Sequence, residues 1–189
     1  MKRYYTLITI ASLLHMITYS QETVNWDQVI MHWHNYVSMP SRWNAIILER
    51  ALSSFQPSTI SDNSKRSYFV KQVEKDIFLL DRQIVSRDSL AIKIAFRLFA
   101  YTDASLSEHL DVALGQVIRI DPKLFLAQLY QNRARVPRMD ALLLNLGSPY
   151  VDKADAQQLE KVLRIEAIES VHDSALVQIR SECLSAMKE

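Results

Sequence analysis

The sequence predicts an all-α protein, and three observations lead to that prediction. Its 189 residues include only two glycines and few β-branched runs, unlike the turn-rich composition of a β-sandwich. Apolar residues recur at three- and four-residue spacing through most of the chain. The stretch 88–101, DSLAIKIAFRLFAY, is apolar on nearly every side, which predicts a helix enclosed by neighbours. The remaining helices should therefore form layers around this central helix.

About eight helices are expected after the first 20 residues, joined mostly by short turns. Their ends are marked by caps: Asn25 precedes the first helix, Ser105 and Glu108 have capping-box spacing, and Asp121-Pro122 opens a later helix. The helical spacing also places four large side chains on inward faces, namely Trp43, Tyr130, Leu159 and Val162.

Short successive helices of this kind are expected to pack as antiparallel pairs. The alternation of helix and turn, most clearly in residues 68–130, is similar to that of HEAT-like helical repeats. This resemblance implies a right-handed α-α superhelix with a concave surface, and an irregular helical bundle is the alternative. Gly115 lies inside a predicted helix, where glycine is unfavourable, so it indicates a close helix crossing.

Residues 1–20 have the pattern of a secretory signal peptide. A basic start at Lys2 and Arg3 is followed by an apolar run and then by small residues before Gln21. The apolar run is shorter than the roughly 20 residues of a membrane span, so no permanent span is expected. Residues 21–189 are then a single exported domain, periplasmic or extracellular, with a possible helical hairpin at 25–56 and a linker at 57–64.

Composition excludes several functional classes. The chain has 22 basic and 21 acidic residues, and losing Lys2 and Arg3 with the leader would make the net charge about −1, which argues against nucleic-acid binding. With only Gly115 and Gly147, the chain has neither a P-loop nor a dinucleotide fingerprint, and GxSxG is absent. The sequence therefore predicts no cofactor and identifies no catalytic residue.

No metal site is predicted from the histidines or the cysteine. His32 and His34 are two residues apart, so on a helix they point in nearly opposite directions, whereas two ligands on one helix need three- or four-residue spacing. His172-Asp173 lacks further ligands, and Asp173 is better explained as a helix cap. Cys183, the sole cysteine, lies in an apolar stripe and is expected to be a buried small side chain.

The candidate binding residues are basic. Lys93 and Arg97 lie four residues apart on the central helix, where like charges repel and need compensation. One interpretation pairs them with Asp88, Glu108 or Asp111, or lets their long side chains reach water. The functional interpretation is a basic groove for an acidic segment of another exported protein, which comprises Lys93, Arg97, Arg133, Arg135 and Arg138.

Two functional hypotheses follow. The first is an exported protein-binding or scaffold module, because stacked helix pairs form concave surfaces and no catalytic motif is present. The alternative is a helical hydrolase that acts on cell-envelope polymers through paired carboxylates. The sequence offers several candidates for such a pair: Glu49, Glu74, Asp76, Asp81, Glu108 and Asp111. A pocket that contains two facing carboxylates would favour the hydrolase.

The leader pattern predicts cleavage between Ser20 and Gln21 when the full chain is expressed with an active secretion system. Intact-mass measurement and N-terminal sequencing of the exported protein should find Gln21 at the mature N-terminus. Recovery of the exported protein with Met1 retained would contradict the prediction.

Overall fold

The computed structural model describes residues 25–53 and 63–188, and these form nine α-helices joined by turns and short 3-10 segments. The helices are α1 (Trp26–Ser38), α2 (Arg42–Ser53), α3 (Asn63–Val85), α4 (Ser89–Leu98), α5 (Ala104–Ile120), α6 (Pro122–Asn132), α7 (Met139–Leu144), α8 (Ala154–Glu169) and α9 (Val177–Lys188). The described residues contain no strand, so the all-α prediction is confirmed. The predicted leader and most of the linker at 57–64 lie outside the described residues.

The helices contact one another mainly in two interleaved series. In the first series α1 contacts α3, α3 contacts α5, α5 contacts α7 and α7 contacts α9; in the second, α2, α4, α6 and α8 follow in the same way. Sequence neighbours such as α1 and α2, or α5 and α6, connect the two series. Contacts between every second helix, together with contacts between sequence neighbours, are the pattern expected of stacked helix pairs. No helix among the described residues has both the length and the apolarity to cross a bilayer.

Helix α4 lies at the centre of this arrangement, as predicted. It contacts α2, α3, α5 and α6. Its apolar side chains are almost completely buried, including Ile92, Ile94 and Phe96, each with no exposed surface. Asp88 caps the helix, because its carboxylate accepts hydrogen bonds from the backbone N–H groups of Leu90 and Ala91. A ten-residue helix that is enclosed on four sides is stabilised by burial far more than by its own hydrogen bonds.

An aromatic cluster joins α1 and α3 to the turn after α4. The rings of Trp26, Phe69 and Tyr101 have pairwise centroid distances of 5.7–5.9 Å, and Trp33 packs edge-on against Phe69. The buried Tyr101 hydroxyl donates to the Leu52 carbonyl at 3.0 Å, which ties this cluster to the end of α2. Both N-terminal tryptophans, Trp26 and Trp33, are buried.

Four predicted inward positions are wrong. Trp43 is 67% exposed, and Tyr130, Leu159 and Val162 are also exposed. Helices α2 and α8 carry more than one stripe of apolar residues, and spacing alone does not say which stripe meets a neighbour. Helix α2 instead buries Ala45, Leu48 and Leu52, and α8 buries Arg164 and Ile168.

The start of α5 also differs from the prediction. The capping-box spacing placed the cap near Ser105, whereas Asp103 is the N-cap and its carboxylate accepts from the Leu106 backbone N–H at 3.1 Å. An aspartate two residues earlier supplies the acceptor at least as well as serine, so the helix begins sooner. The caps at Asn25 and Asp121 are confirmed.

Gly115 marks a close helix crossing, as predicted. A side chain there would place its first carbon 2.7 Å from the Arg164 guanidinium and 3.1 Å from the Leu142 carbonyl oxygen. The space left by the missing side chain admits Arg164 of α8, which donates to the Leu143 carbonyl at 2.8 Å and pairs with Glu160 at 3.2 Å. The glycine therefore allows a buried arginine to satisfy a carbonyl of α7.

Phe96→Ala should lower the free energy of unfolding by roughly 3–5 kcal/mol, because it empties a fully enclosed site next to Phe99 and Phe125. Chemical denaturation measures this loss. The matched control is Phe78→Ala, since Phe78 is 57% exposed and its removal should change stability by less than about 1 kcal/mol. Equal losses in the two variants would contradict the central position of α4.

Candidate functional site

The polar stripe of α4 faces α2, and the two helices meet there through charge. Lys93 Nζ and Arg97 Nη2 both lie 3.1 Å from Oε1 of Glu49. The three side chains are partly buried, with 29%, 16% and 13% of their surfaces exposed. One carboxylate of α2 therefore serves two cations of α4.

Glu49 is held in its ionised form. Burial opposes ionisation, but the hydrogen bond from Ser53 and the adjacent charges of Lys93 and Arg97 outweigh it, so the pKa of Glu49 is lowered. The Ser53 hydroxyl donates to Glu49 Oε1 at 2.8 Å. The same oxygen thus accepts from one hydroxyl and lies beside two cations.

Arg135 is a third cation in these surroundings. Burial lowers the pKa of Arg135, the charge of Arg97 lowers it further, and Tyr101 and Glu49 act in the opposite direction. Within the described residues the Arg135 guanidinium forms no ion pair or side-chain hydrogen bond. It lies in a short 3-10 segment, Arg133–Arg135, that follows α6.

Lys93, Arg97 and Arg135 are named the cationic cluster from here on. Three positive charges act there against the single negative charge of Glu49, so the local excess is two positive charges. Nε of Arg97 is buried without a hydrogen-bond acceptor among the described residues. Buried donors without acceptors are rare in folded proteins. Both features leave positive charge at this place unmatched among the described residues.

The other two predicted binding residues have different partners. Arg133 pairs with Glu182 of α9 at 3.2 Å and also donates to the Val136 carbonyl. Arg138 pairs with Asp140, only two residues along the chain, at 3.2 Å. The structure therefore brings Lys93, Arg97 and Arg135 into one electrostatic environment and gives Arg133 and Arg138 their own carboxylates.

The compensation suggested for Lys93 and Arg97 is corrected by the structure. Their partner is Glu49, rather than Asp88, Glu108 or Asp111. Asp88 is engaged in capping α4, and the other two carboxylates lie on α5 beside a different cavity. Glu49 is more than 40 residues away in sequence, and only the contact between α2 and α4 reveals the pairing.

A second group of charged side chains lines a cavity of about 520 Å³ between α5 and α7, which we call the acidic cavity. Its charged lining consists of Glu108, Asp111, Arg138 and Asp140. Asp111 is only 4% exposed, and burial raises its pKa to about 7, with Asp140 and Glu108 adding to the shift and Arg138 opposing it. The hydrogen bond from Arg138 lowers the pKa of Asp140.

A neighbouring groove of about 780 Å³ adjoins the acidic cavity. The two share Glu108, Leu144 and Asn145 in their linings, so they lie side by side along α7. The groove continues past Tyr150 toward the first turns of α8. Its lining mixes apolar side chains with amides and with the charged side chains of Glu108, Lys161 and Arg164.

The described histidines and the cysteine do not lie in a group that could bind a metal. Among the described residues, no three His, Cys, Asp or Glu side chains are grouped closely enough to hold a metal ion. Cys183 is fully buried, and burial raises the pKa of its thiol to about 12, so the prediction of a buried small side chain is confirmed.

Comparisons with protein families, with curated proteins and with solved structures find no match to this chain.

Proposed function

We propose that this chain is a protein-binding module that acts after export and docks an acidic segment of another protein on the cationic cluster. Lys93, Arg97 and Arg135 would contact the segment's carboxylates, and Glu49 would hold two of these cations in position. The observation that carries the proposal is the uncompensated positive charge around Glu49. Folding alone gives no reason to place Arg135 beside Arg97 without a second carboxylate.

The energetics favour an anionic ligand at this place. A hydrogen bond to a charged group contributes about 1.5–3 kcal/mol, and a carboxylate between the two guanidinium groups would accept several. The site is partly dehydrated, which strengthens such bonds relative to those on an open surface. Because Arg97 and Arg135 repel each other when no ligand is present, part of the gain would be relief of this repulsion.

Exposed apolar side chains support a protein rather than a free anion as the ligand. Trp43 on α2, the helix that carries Glu49, is 67% exposed, and Met39 just before this helix is 68% exposed. Tryptophan and methionine are enriched in protein interfaces, where their burial supplies much of the binding energy. A partner could therefore combine an acidic segment with apolar contacts.

Arg135→Glu should weaken binding of a hexaglutamate peptide by at least tenfold, or about 1.4 kcal/mol, and more strongly at low salt. The same change should leave the free energy of unfolding unchanged or raise it, because the new carboxylate would lie beside Arg97. Fluorescence anisotropy measures the first effect and chemical denaturation the second.

Arg133→Glu is the matched control, because it makes the same charge change two residues away at a side chain that already pairs with Glu182. It should reduce binding by less than Arg135→Glu does. Equal losses in both variants would indicate general charge attraction, and a marked loss of stability in Arg135→Glu would assign Arg135 to internal ion pairing.

A second candidate function has support from one observation in the acidic cavity. Asp111 and Asp140 line the same space, the first with a raised pKa and the second with a lowered one. Opposite shifts in neighbouring carboxyl groups are the condition for a general acid and a base or nucleophile. We therefore propose hydrolysis of a cell-envelope polymer as the second candidate, with Asp111 as the acid.

If this second candidate is correct, the protein should release soluble fragments from purified bacterial cell walls, and Asp111→Asn should lower the rate by about 10²-fold or more. Asp76→Asn on α3, away from the cavity lining, is the control and should retain the rate. No release by the unmodified chain across pH 5–8 would remove this candidate.

A further inference from the structure

The acidic cavity has a charge imbalance opposite to that of the cationic cluster. Three carboxyl groups, those of Glu108, Asp111 and Asp140, line it together with the single cation Arg138. Arg138 is already paired with Asp140 at 3.2 Å. The charge of Arg138 acts on Asp111, but neither Glu108 nor Asp111 forms an ion pair in the described part of the chain.

Asp111 is the unusual member of this set. It is 4% exposed, yet its carboxyl group has no hydrogen bond or ion pair with any described residue. Buried carboxyl groups are ordinarily satisfied by donors or by cations, because leaving one unpaired is costly. Because Asp111 faces a space of about 520 Å³, its partner is expected to come from that space.

The arrangement of the described metal-ligating side chains does not suit a metal ion as the partner of Asp111. A divalent metal would need three or more ligands around one point, and no such group of side chains exists among the described residues. The cavity is far larger than a single ion, and its walls also offer the Ser107 hydroxyl and the Asn145 amide. A cation that carries several hydrogen-bond donors on an organic frame matches this spread of acceptors.

We propose that the acidic cavity binds a positively charged organic group, either a primary ammonium or a guanidinium, with Asp111 as its main counter-ion and Glu108 as a second acceptor. The group could belong to a small free amine or to a Lys or Arg side chain of a partner protein, since the chemistry is the same. This inference rests neither on the cationic cluster nor on hydrolysis in the cavity.

The test uses isothermal titration calorimetry of the full mature chain with two ligands, agmatine and a lysine-rich peptide. Agmatine carries both cationic groups and reports a small-molecule site, whereas tighter binding of the peptide would assign the source to a partner side chain. Asp111→Asn keeps the size of the side chain and removes its charge, so it should weaken binding at least tenfold. Asp155→Asn, on the exposed first turn of α8, is the control and should bind as the unmodified chain does.

Binding should also depend on pH in a definite direction. Burial raises the pKa of Asp111 to about 7, with Glu108 of its own helix and Asp140 of α7 adding to the shift and Arg138 of α7 opposing it. A cation prefers the ionised carboxylate, so affinity should be higher at pH 8 than at pH 5.5. Asp111→Asn should lose most of this pH dependence, whereas Asp155→Asn should keep it.

Several outcomes would overturn the proposal. These are no binding of either ligand at pH 8, equal binding by Asp111→Asn, or tighter binding of Ca²⁺ than of agmatine. If Asp111→Asn does not fold, Glu108→Gln serves instead, because Glu108 is an exposed residue at the mouth of the cavity. Unchanged binding in that variant would equally overturn the inference.

Discussion

Helix α4 is surrounded by α2, α3, α5 and α6, and its polar stripe must nevertheless satisfy the charges of Lys93 and Arg97. A buried cation without a counter-ion would destabilise the fold by several kcal/mol. Glu49 meets this requirement for both side chains and thereby aligns α2 against α4. The burial of the central helix and the position of the cationic cluster are therefore consequences of one constraint.

A second buried cation, on α8, has its charge balanced in a different way. Arg164 of α8 is 3% exposed, and its charge is balanced by Glu160 on its own helix. Its guanidinium also donates to the Leu143 carbonyl, through the space that Gly115 leaves open. The Arg164 guanidinium thus has both a carboxylate and a backbone carbonyl as partners, which is typical of a structural residue. Glu160 also lies 3.8 Å from Nε of Arg119, so at both places one carboxylate serves two cations. The cationic cluster differs in having a third cation, Arg135.

The chain as a whole carries a formal charge of only +1, yet its described residues contain two local imbalances of opposite sign. The cationic cluster borders α2 and α4, whereas Asp111 and its neighbours border α5 and α7. The two excess charges are opposite in sign, but they lie on different helices and form no ion pair with each other. Departures from local satisfaction of this kind are expected at functional or strained sites.

The sequence alone determined the features that depend on residues close together in the chain. Burial of Phe96 and its neighbours, the apolar stripe through Cys183, and the caps at Asn25 and Asp121 all follow from helical periodicity and local hydrogen bonding. Only the tertiary structure decided which helix faces meet. The outward turn of Trp43, the choice of Glu49 as the partner of Lys93, and the isolation of Asp111 in a cavity depend on how α2, α5 and α7 pack. Periodicity defines a stripe on one helix, but a contact across 44 residues is set by the shapes of both helices together.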